Sequence, residues 1–390
     1  MPKRKAQAVA MPNKASMRQI CRSAMALLCA ALMFTLSMPA LAELTTDLKP
    51  TAQSAVLLER STRMVLYGSN AHEKLPMAST TKIMTALIAI ENGRLDDIVT
   101  VPKEAYGVEG SSMYLMLGEK VSLLDLLYGL MVNSGNDAAI AIAIHIGGNV
   151  EGFTELMNKR AEKLGLTNTH FVTPNGLHDK EHYTTAYDLA VIACEAMNNE
   201  IFRQLASTSY YTTQTGEVKR YLKSKNKLLW QYEGSTGIKT GYTKAAGKCL
   251  VFSAERDGME TVGVVLNSAD IFDDASKILD YGFSSYKMSV LVSKGEVVAI
   301  AEVTNGRKRL LELAAKEDIM SPVSVSDGMR LRPRAVYEKE LQAPIEQGLT
   351  LGRLELYDGE RLVAVVPLVA AESIAGLTLK DFIKTVVGLW

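Results

Sequence analysis

The sequence predicts an α+β fold: a central antiparallel sheet with helices around it plus a helical subdomain, then a small all-β domain and a C-terminal amphipathic helix. Three observations lead there. Strand-period segments open the folded part and return after residue 237, with helix-period segments between them. The character shifts again near Lys294, where two hairpin signals follow one another. The last fifteen residues, GLTLKDFIKTVVGLW, carry their apolar side chains on one helical face.

Taken in order, Ser54–Glu59 and Met64–Tyr67 read as two short strands around a polar turn. A helix follows in MASTTKIMTAL, apolar from Ile83 to Ile90 and stopped by Asn92-Gly93. Residues Ser122–Val132 are apolar at helical spacing, Ser134-Gly135-Asn136 interrupts them, and Asp137–Gly147 resumes as an alanine-rich helix. Thr185 opens another, with Asp188 in a capping-box position and Leu189, Ile192, Ala193 and Met197 facing inward. Gly237–Gly241, Lys248–Glu255 and Glu260–Leu266 are strands, the last two joined by a turn at Asp257-Gly258. In the tail, Asn305-Gly306 and Asp358-Gly359 mark the hairpins Val297–Leu313 and Gly352–Leu368.

The 390 residues carry 43 basic and 43 acidic groups, so the formal net charge is zero. Six of the basic residues (Lys3, Arg4, Lys5, Lys14, Arg18, Arg22) lie in positions 1–42 with no acid, leaving 37 against 43 downstream, a balance near −6. That mild acidity gives no support for nucleic-acid binding, which needs a basic stripe. The same 42 residues read as a signal peptide: a basic start, an apolar run from Ala24 to Leu36, then Ala40-Leu41-Ala42 before Glu43. The run is about 13 residues, short of the roughly 20 that span a bilayer. The expected organisation is therefore signal 1–42, main domain 43–290, β-sandwich-like domain 291–372 and anchor helix 373–390, with the protein on the outer face of the cytoplasmic membrane. Leu379, Phe382, Ile383, Val386 and Trp390 share the apolar face of that last helix, which suits an in-plane membrane anchor. Cys21 and Cys29 leave with the signal, and whether Cys194 and Cys249 pair is open.

Chemistry concentrates in three short segments. A Ser-x-x-Lys pair alone is a weak signal, and the sequence holds three: Ser79/Lys82, Ser224/Lys227 and Ser284/Lys287. Only Lys82 starts among apolar neighbours, Pro76, Met77, Ala78, Ile83 and Met84. Positions i and i+3 share a helix face, so the Lys82 amine reaches the Ser79 hydroxyl. An ammonium accepts no proton, so burial and a second cation must lower the Lys82 pKa if it is to act as a base. Ser134-Gly135-Asn136 supplies a second hydroxyl and an amide on a turn. Lys239-Thr240-Gly241 supplies a cation and a hydroxyl on a strand, with a glycine that lets another backbone come close.

In that order, Ser79-Thr80-Thr81-Lys82, Ser134-Gly135-Asn136 and Lys239-Thr240-Gly241 resemble the three motifs of the penicillin-binding proteins and serine β-lactamases. The wording TPNGLHDKEHYTTAYDLA and GSTGIKTGYTKAAGKCLVF is similar to that of the low-molecular-mass D-alanyl-D-alanine carboxypeptidases, and the resemblance covers essentially all of the chain after the signal. It implies a transpeptidase-like domain that attacks peptidoglycan stem peptides ending in D-Ala-D-Ala and is acylated by β-lactams, with no metal or organic cofactor. It implies Ser79 as nucleophile, Lys82 as its base and Ser134 as proton relay to the leaving amine. Asn136 would hold the substrate's peptide groups, Lys239 and Thr240 its terminal carboxylate, and the backbone N–H groups of Ser79 and Tyr242 the oxyanion.

Three rival readings are weighed against this one. His178-Asp179-Lys180-Glu181-His182 matches a zinc-peptidase pattern, but those ligands need one helix face, and Pro174 and Asn175-Gly176 stand just before it. A class A β-lactamase requires a deacylating glutamate beyond the second motif, where Thr167–Leu177 has none, and Glu155 and Asn158 have the wrong offset. A non-catalytic wall-binding protein would have no reason to keep every motif residue.

Overall fold

The computed structural model describes residues 48–326 and 331–379. The expected signal, 1–42, and residues 380–390 of the expected terminal helix lie outside the described residues.

The apolar SAVLLE of β1 (Ser54–Glu59) is buried along its whole length. It pairs antiparallel with β2 (Val65–Ser69) on one side. Chain order then runs through helix α1 (Lys82–Asn92), a ribbon of β3 (Ile98–Thr100) and β4 (Lys120–Ser122), and α2 (Leu123–Met131), α3 (Asn136–Gly147) and α4 (Val150–Lys163). Next come α5 (Ala186–Ala196) and α6 (Glu200–Ser207), a second ribbon of β5 (Tyr210–Thr212) and β6 (Tyr221–Lys223), and a single turn, α7 (Leu228–Gln231). Three long strands, β7 (Ser235–Thr243), β8 (Gly247–Arg256) and β9 (Met259–Ser268), complete a five-stranded sheet of order β2-β1-β9-β8-β7, with α8 (Ile271–Ser285) after it.

Both faces of this sheet are covered, which explains why β1 shows no polar alternation. Val56 and Leu58 face the large helical core with Val262, Val264 and Leu266. Ala55 and Leu57 face the other way, onto Ala275, Ile278 and Leu279 of α8. Helix starts follow side-chain chemistry: Ser122, Asn149, Thr185, Asn199 and Asp270 each accept a backbone N–H of the first turn.

The β domain is a six-stranded sheet faced by a two-stranded one. The small sheet pairs β10 (Tyr286–Val292) with β13 (Ile319–Ser324). The large one has the order β14-β16-β17-β12-β11-β15, from β11 (Val297–Thr304), β12 (Leu310–Ala315), β14 (Leu331–Tyr337), β15 (Glu340–Gln342), β16 (Thr350–Asp358) and β17 (Arg361–Ala370). Both expected hairpins form. Two boundaries move. The division expected between residues 290 and 291 falls inside β10, whose Tyr286 packs against Ile278 and Leu279 of the main domain's core. Residues 374–377, expected within a helix from residue 373, are bonded to the β domain instead: Ile374 exchanges both backbone hydrogen bonds with Ile345, and Leu377 N–H donates to the Asn305 carbonyl. Ladder bonding thus holds residues 374–377 in the β domain. Cys194 and Cys249 are both buried and free, so they do not pair.

Candidate active site

Ser79 stands in a single 3-10 turn, Ala78–Thr81, that runs directly into α1 at Lys82. The turn is pinned by its own hydroxyls: Thr80 Oγ1 donates to the Met77 carbonyl at 2.6 Å and Thr81 Oγ1 to the Ala78 carbonyl at 2.8 Å. Ala78 has φ +49°, a left-handed conformation that crowds its Cβ and persists only where surroundings enforce it. Two glycines do the enforcing. A methyl at Gly176 would lie 2.0 Å from the Ala78 carbonyl oxygen, and one at Gly241 would lie 3.1 Å from the Ser79 nitrogen. The loop before α5 and the strand β7 therefore both press backbone against the serine turn.

His182 closes the arrangement from behind. Val172 N–H donates to its Nδ1 at 3.0 Å, so Nδ1 carries a lone pair and Nε2 the proton. Nε2 lies 2.8 Å from Thr81 Oγ1, which has already given its own proton to Ala78. The chain Val172–His182–Thr81–Ala78 is thus directional with a neutral imidazole. Burial, the largest cause, lowers the His182 pKa to about 4, in keeping with that tautomer. The zinc-like pattern dissolves here: residues 178–182 are not helical, His178 and Glu181 are exposed, and His182 is buried.

Lys82 is fully buried, with Nζ 2.9 Å from Ser79 Oγ, 2.7 Å from Asn136 Oδ1 and 2.6 Å from the Asn175 carbonyl. The last two partners only accept. A neutral amine has two N–H groups for those two oxygens, which leaves its lone pair towards the one partner able to donate, the serine hydroxyl. Burial first, then the charges of Lys239 and Lys225, push this amine well below the ordinary lysine value, against a smaller opposing pull from Asp137. Lys239 is itself buried, donates to the Thr240 carbonyl at 2.9 Å, and is lowered to about 7 by burial and then by Lys225.

Ser134 takes φ +63° just before α3. It shares with Ser79, Asn136, Thr240, Gly241 and Tyr242 the lining of one cleft of about 670 Å³. The structure thus gathers all eight residues singled out by sequence, six on the cleft and the two lysines beneath its floor. Asn136 has a duty the sequence did not reveal: its Oδ1 holds Lys82, while its Nδ2 donates to the Glu109 carbonyl at 2.7 Å.

Other contributors were hidden in sequence. The Asn175 carbonyl is a backbone atom, for which no residue pattern exists. Asp137 fastens the cleft wall by accepting from Ser112 Oγ and from the N–H groups of Met113 and Leu115. Lys225 lies in Ser224-Lys225-Asn226, which also fits Ser-x-Asn. Its Nζ donates to Ser111 Oγ at 2.8 Å on the cleft rim, and its charge acts on both buried lysines.

Comparison with known proteins agrees with this geometry. Residues 42–270 match the family described as D-alanyl-D-alanine carboxypeptidase, and residues 286–375 the one described as penicillin-binding protein 5, C-terminal domain. The D-alanyl-D-alanine carboxypeptidase DacF of Bacillus subtilis strain 168 is 35% identical over 356 residues, covering 89% of this chain and 92% of the relative. DacD of Escherichia coli K12 is 34% identical over 345 residues, covering 83% and 87%. The crystal structure of penicillin binding protein 5 from Haemophilus influenzae superposes with a TM-score of 0.71 at 30% identity, covering 85% of this chain and 99% of that one. A match over more than half the chain, continued by the matching β domain, carries the conclusion that this chain belongs to the D-alanyl-D-alanine carboxypeptidase family of penicillin-binding proteins.

Proposed function

We propose that this serine-type D-alanyl-D-alanine carboxypeptidase works through an ester on Ser79. The observation that carries the reading is the buried Lys82 amine, 2.9 Å from Ser79 Oγ with both its N–H groups directed to pure acceptors. The substrate is the peptidoglycan stem peptide ending in D-Ala-D-Ala. Its terminal carboxylate binds Lys239 and Thr240, which returns Lys239 to its charged form, because a nearby anion raises a lysine pKa. That regained charge keeps Lys82 neutral.

Lys82 takes the Ser79 proton as Oγ bonds to the carbonyl carbon of the penultimate D-alanine. The oxyanion lies between the N–H groups of Ser79 and Tyr242. The carbon–nitrogen bond then breaks, and the proton passes through Ser134 to the departing D-alanine amine. Water next attacks the ester, giving a proton to Lys82, and Ser79 leaves with its hydroxyl restored. A β-lactam follows the same first half: its ring amide opens on Ser79, but the amine stays tethered and hampers the approach of water. Thr167–Leu177, which places the Asn175 carbonyl 2.6 Å from Lys82 Nζ, contains no carboxylate, and this favours the present reading over a β-lactamase.

We also place the protein at the outer surface of the cytoplasmic membrane, exported by residues 1–42 and held by its C-terminal amphipathic segment. The basic-then-apolar start and the one-sided tail support this. No helix of the described residues is long and apolar enough to cross a membrane.

The test is mass spectrometry after brief penicillin exposure, paired with a D-alanine release assay. The unaltered protein gains one acyl group and releases D-alanine; Ser79→Ala does neither. Lys82→Arg, which keeps charge but offers no lone pair at neutral pH, loses acylation as well. Labelling of Ser79→Ala would place the nucleophile elsewhere.

A further inference from the structure

The ribbon β5–β6 presents an outer face that the catalytic machinery does not use. Strand alternation divides its residues cleanly. Tyr211 and Leu222, paired across the ribbon, point inward: Tyr211 stacks on Tyr128 at 3.6 Å and donates to Asp125 at 2.8 Å, and Leu222 is buried. Tyr210 and Lys223, and Thr212 and Tyr221, are the pairs of the opposite face. There Tyr221 is 81% exposed and Tyr210 67%, and Trp230 of α7 beside them is 48% exposed. The Lys223 ammonium stands 5.5 Å from the Tyr210 ring centroid and 5.8 Å from that of Trp230, so one cation is shared by two rings.

This face is held rigidly from behind. Asp125 accepts the N–H groups of Gln214 and Thr215, and the buried Arg220, one residue before Tyr221, forms a two-pronged pair with Glu119 at 2.7 Å. Rings on a fixed scaffold lose little freedom when a ligand covers them, which favours recognition. The face is also continuous with the catalytic cleft: two residues beyond the end of β6, Lys225 forms the cleft rim.

We propose that the outer face of β5–β6, with Trp230, is a binding platform for the sugar chain of the polymeric substrate. This rests on the carboxypeptidase reading above and extends it beyond the scissile peptide. A pyranose ring has a flat face of C–H groups that packs on Tyr and Trp, and its amide and hydroxyl oxygens accept from an ammonium such as Lys223. A peptide that enters the cleft while attached to its glycan must pass the rim, and Lys225 marks the rim on this side.

The experiment compares the unaltered full chain with Tyr210→Ala/Tyr221→Ala on two substrates, the free pentapeptide and the same pentapeptide attached to glycan strands. The double variant is expected to lose about tenfold or more in kcat/KM on the glycan-linked substrate, as the loss of two stacking contacts implies. Its rate on free pentapeptide and its acylation by penicillin stay unchanged. In parallel, a peptide-free oligomer of β-1,4-linked N-acetylglucosamine is titrated against Trp230 fluorescence in a Trp390→Phe background, Trp390 being the other of the two tryptophans. Quenching that the double variant abolishes supports the platform. Equal losses on both substrates, no loss on the linked one, or a loss confined to binding of anionic phospholipid vesicles each overturn it. Absence of D-alanine release from free pentapeptide by the unaltered protein would instead sink the carboxypeptidase reading, and the oligosaccharide titration reads separately from it.

Discussion

Lys239 titrates near neutrality, at about 7, because it is buried and shares its surroundings with Lys225. In the free enzyme its charge is present below that value and fades above it. In the proposed mechanism that charge meets the substrate carboxylate, so kcat/KM on peptide is expected to fall as pH rises through about 7. Lys239→Arg keeps its charge at every accessible pH. Its overall rate drops, but the descending limb moves upward by a unit or more; a limb that stays in place would assign it to another group. A second residue-scale expectation concerns Thr81. Its hydroxyl both receives His182 Nε2–H and donates to the Ala78 carbonyl. Thr81→Val leaves two buried polar groups unpaired, at about 1–3 kcal/mol each. Thermal unfolding should shift down and penicillin acylation slow, and Thr81→Ser should restore both. Equal acylation by Thr81→Val would remove His182 from the positioning of Ser79.

At the scale of elements, the site is a meeting of backbones. The serine turn, the loop through Gly176 and the strand β7 approach so closely that side chains are excluded at the contacts. Gly176 also has φ +82°, a region that costs a residue with a Cβ about 1–3 kcal/mol. With 2.0 Å between a new methyl and the Ala78 carbonyl oxygen, Gly176→Ala has to move the turn. We expect acylation to slow at least about tenfold, roughly 1.4 kcal/mol in the barrier, while a stopped-flow measurement of fluorescent penicillin separates this from lost folding. Helix α1 contributes differently. Its residues from Lys82 to Ala89 are all buried, so Lys82 is carried into the core with its apolar neighbours. Burial in this apolar helix lowers the amine's pKa, so an element that looks built for packing also supplies the proposed base.

At the scale of the molecule, the proposed membrane attachment puts a testable demand on the tail. Ile374 and Leu377 are bonded into the β domain, so a truncation that begins before them removes ladder hydrogen bonds as well as the tail. Deleting residues 380–390 spares those bonds. The shortened protein should keep its activity on soluble pentapeptide and its unfolding temperature, and should no longer sediment with membranes. Sedimentation unchanged by the deletion would assign the attachment to another segment.

Much of this was readable from the chain, and the reasons are local. The short apolar, β-branched runs of β1, β8 and β9 and the turn residues Asp257-Gly258, Asn305-Gly306 and Asp358-Gly359 act on their own neighbours, so their meaning survives without a fold. Ser79 and Lys82 are three apart on one turn, a spacing that sequence states outright. Helix α8 was harder, since its Asp273, Asp274 and Lys277 dilute an apolar stripe that only the sheet beneath it completes. The β3–β4 and β5–β6 ribbons are three-residue strands, too short for any period to emerge.

The sequence by itself therefore determined the fold class, the family and which residues are the candidates for nucleophile and base, because those follow from patterns within single segments. Tertiary structure alone decided that Asn136 and the Asn175 carbonyl take the two protons of Lys82, that Lys225 charges the rim, and that His182 is a neutral strut. Each of those is an interaction between groups far apart in the chain, set by burial and by hydrogen-bond direction, and neither quantity exists until the segments are brought together.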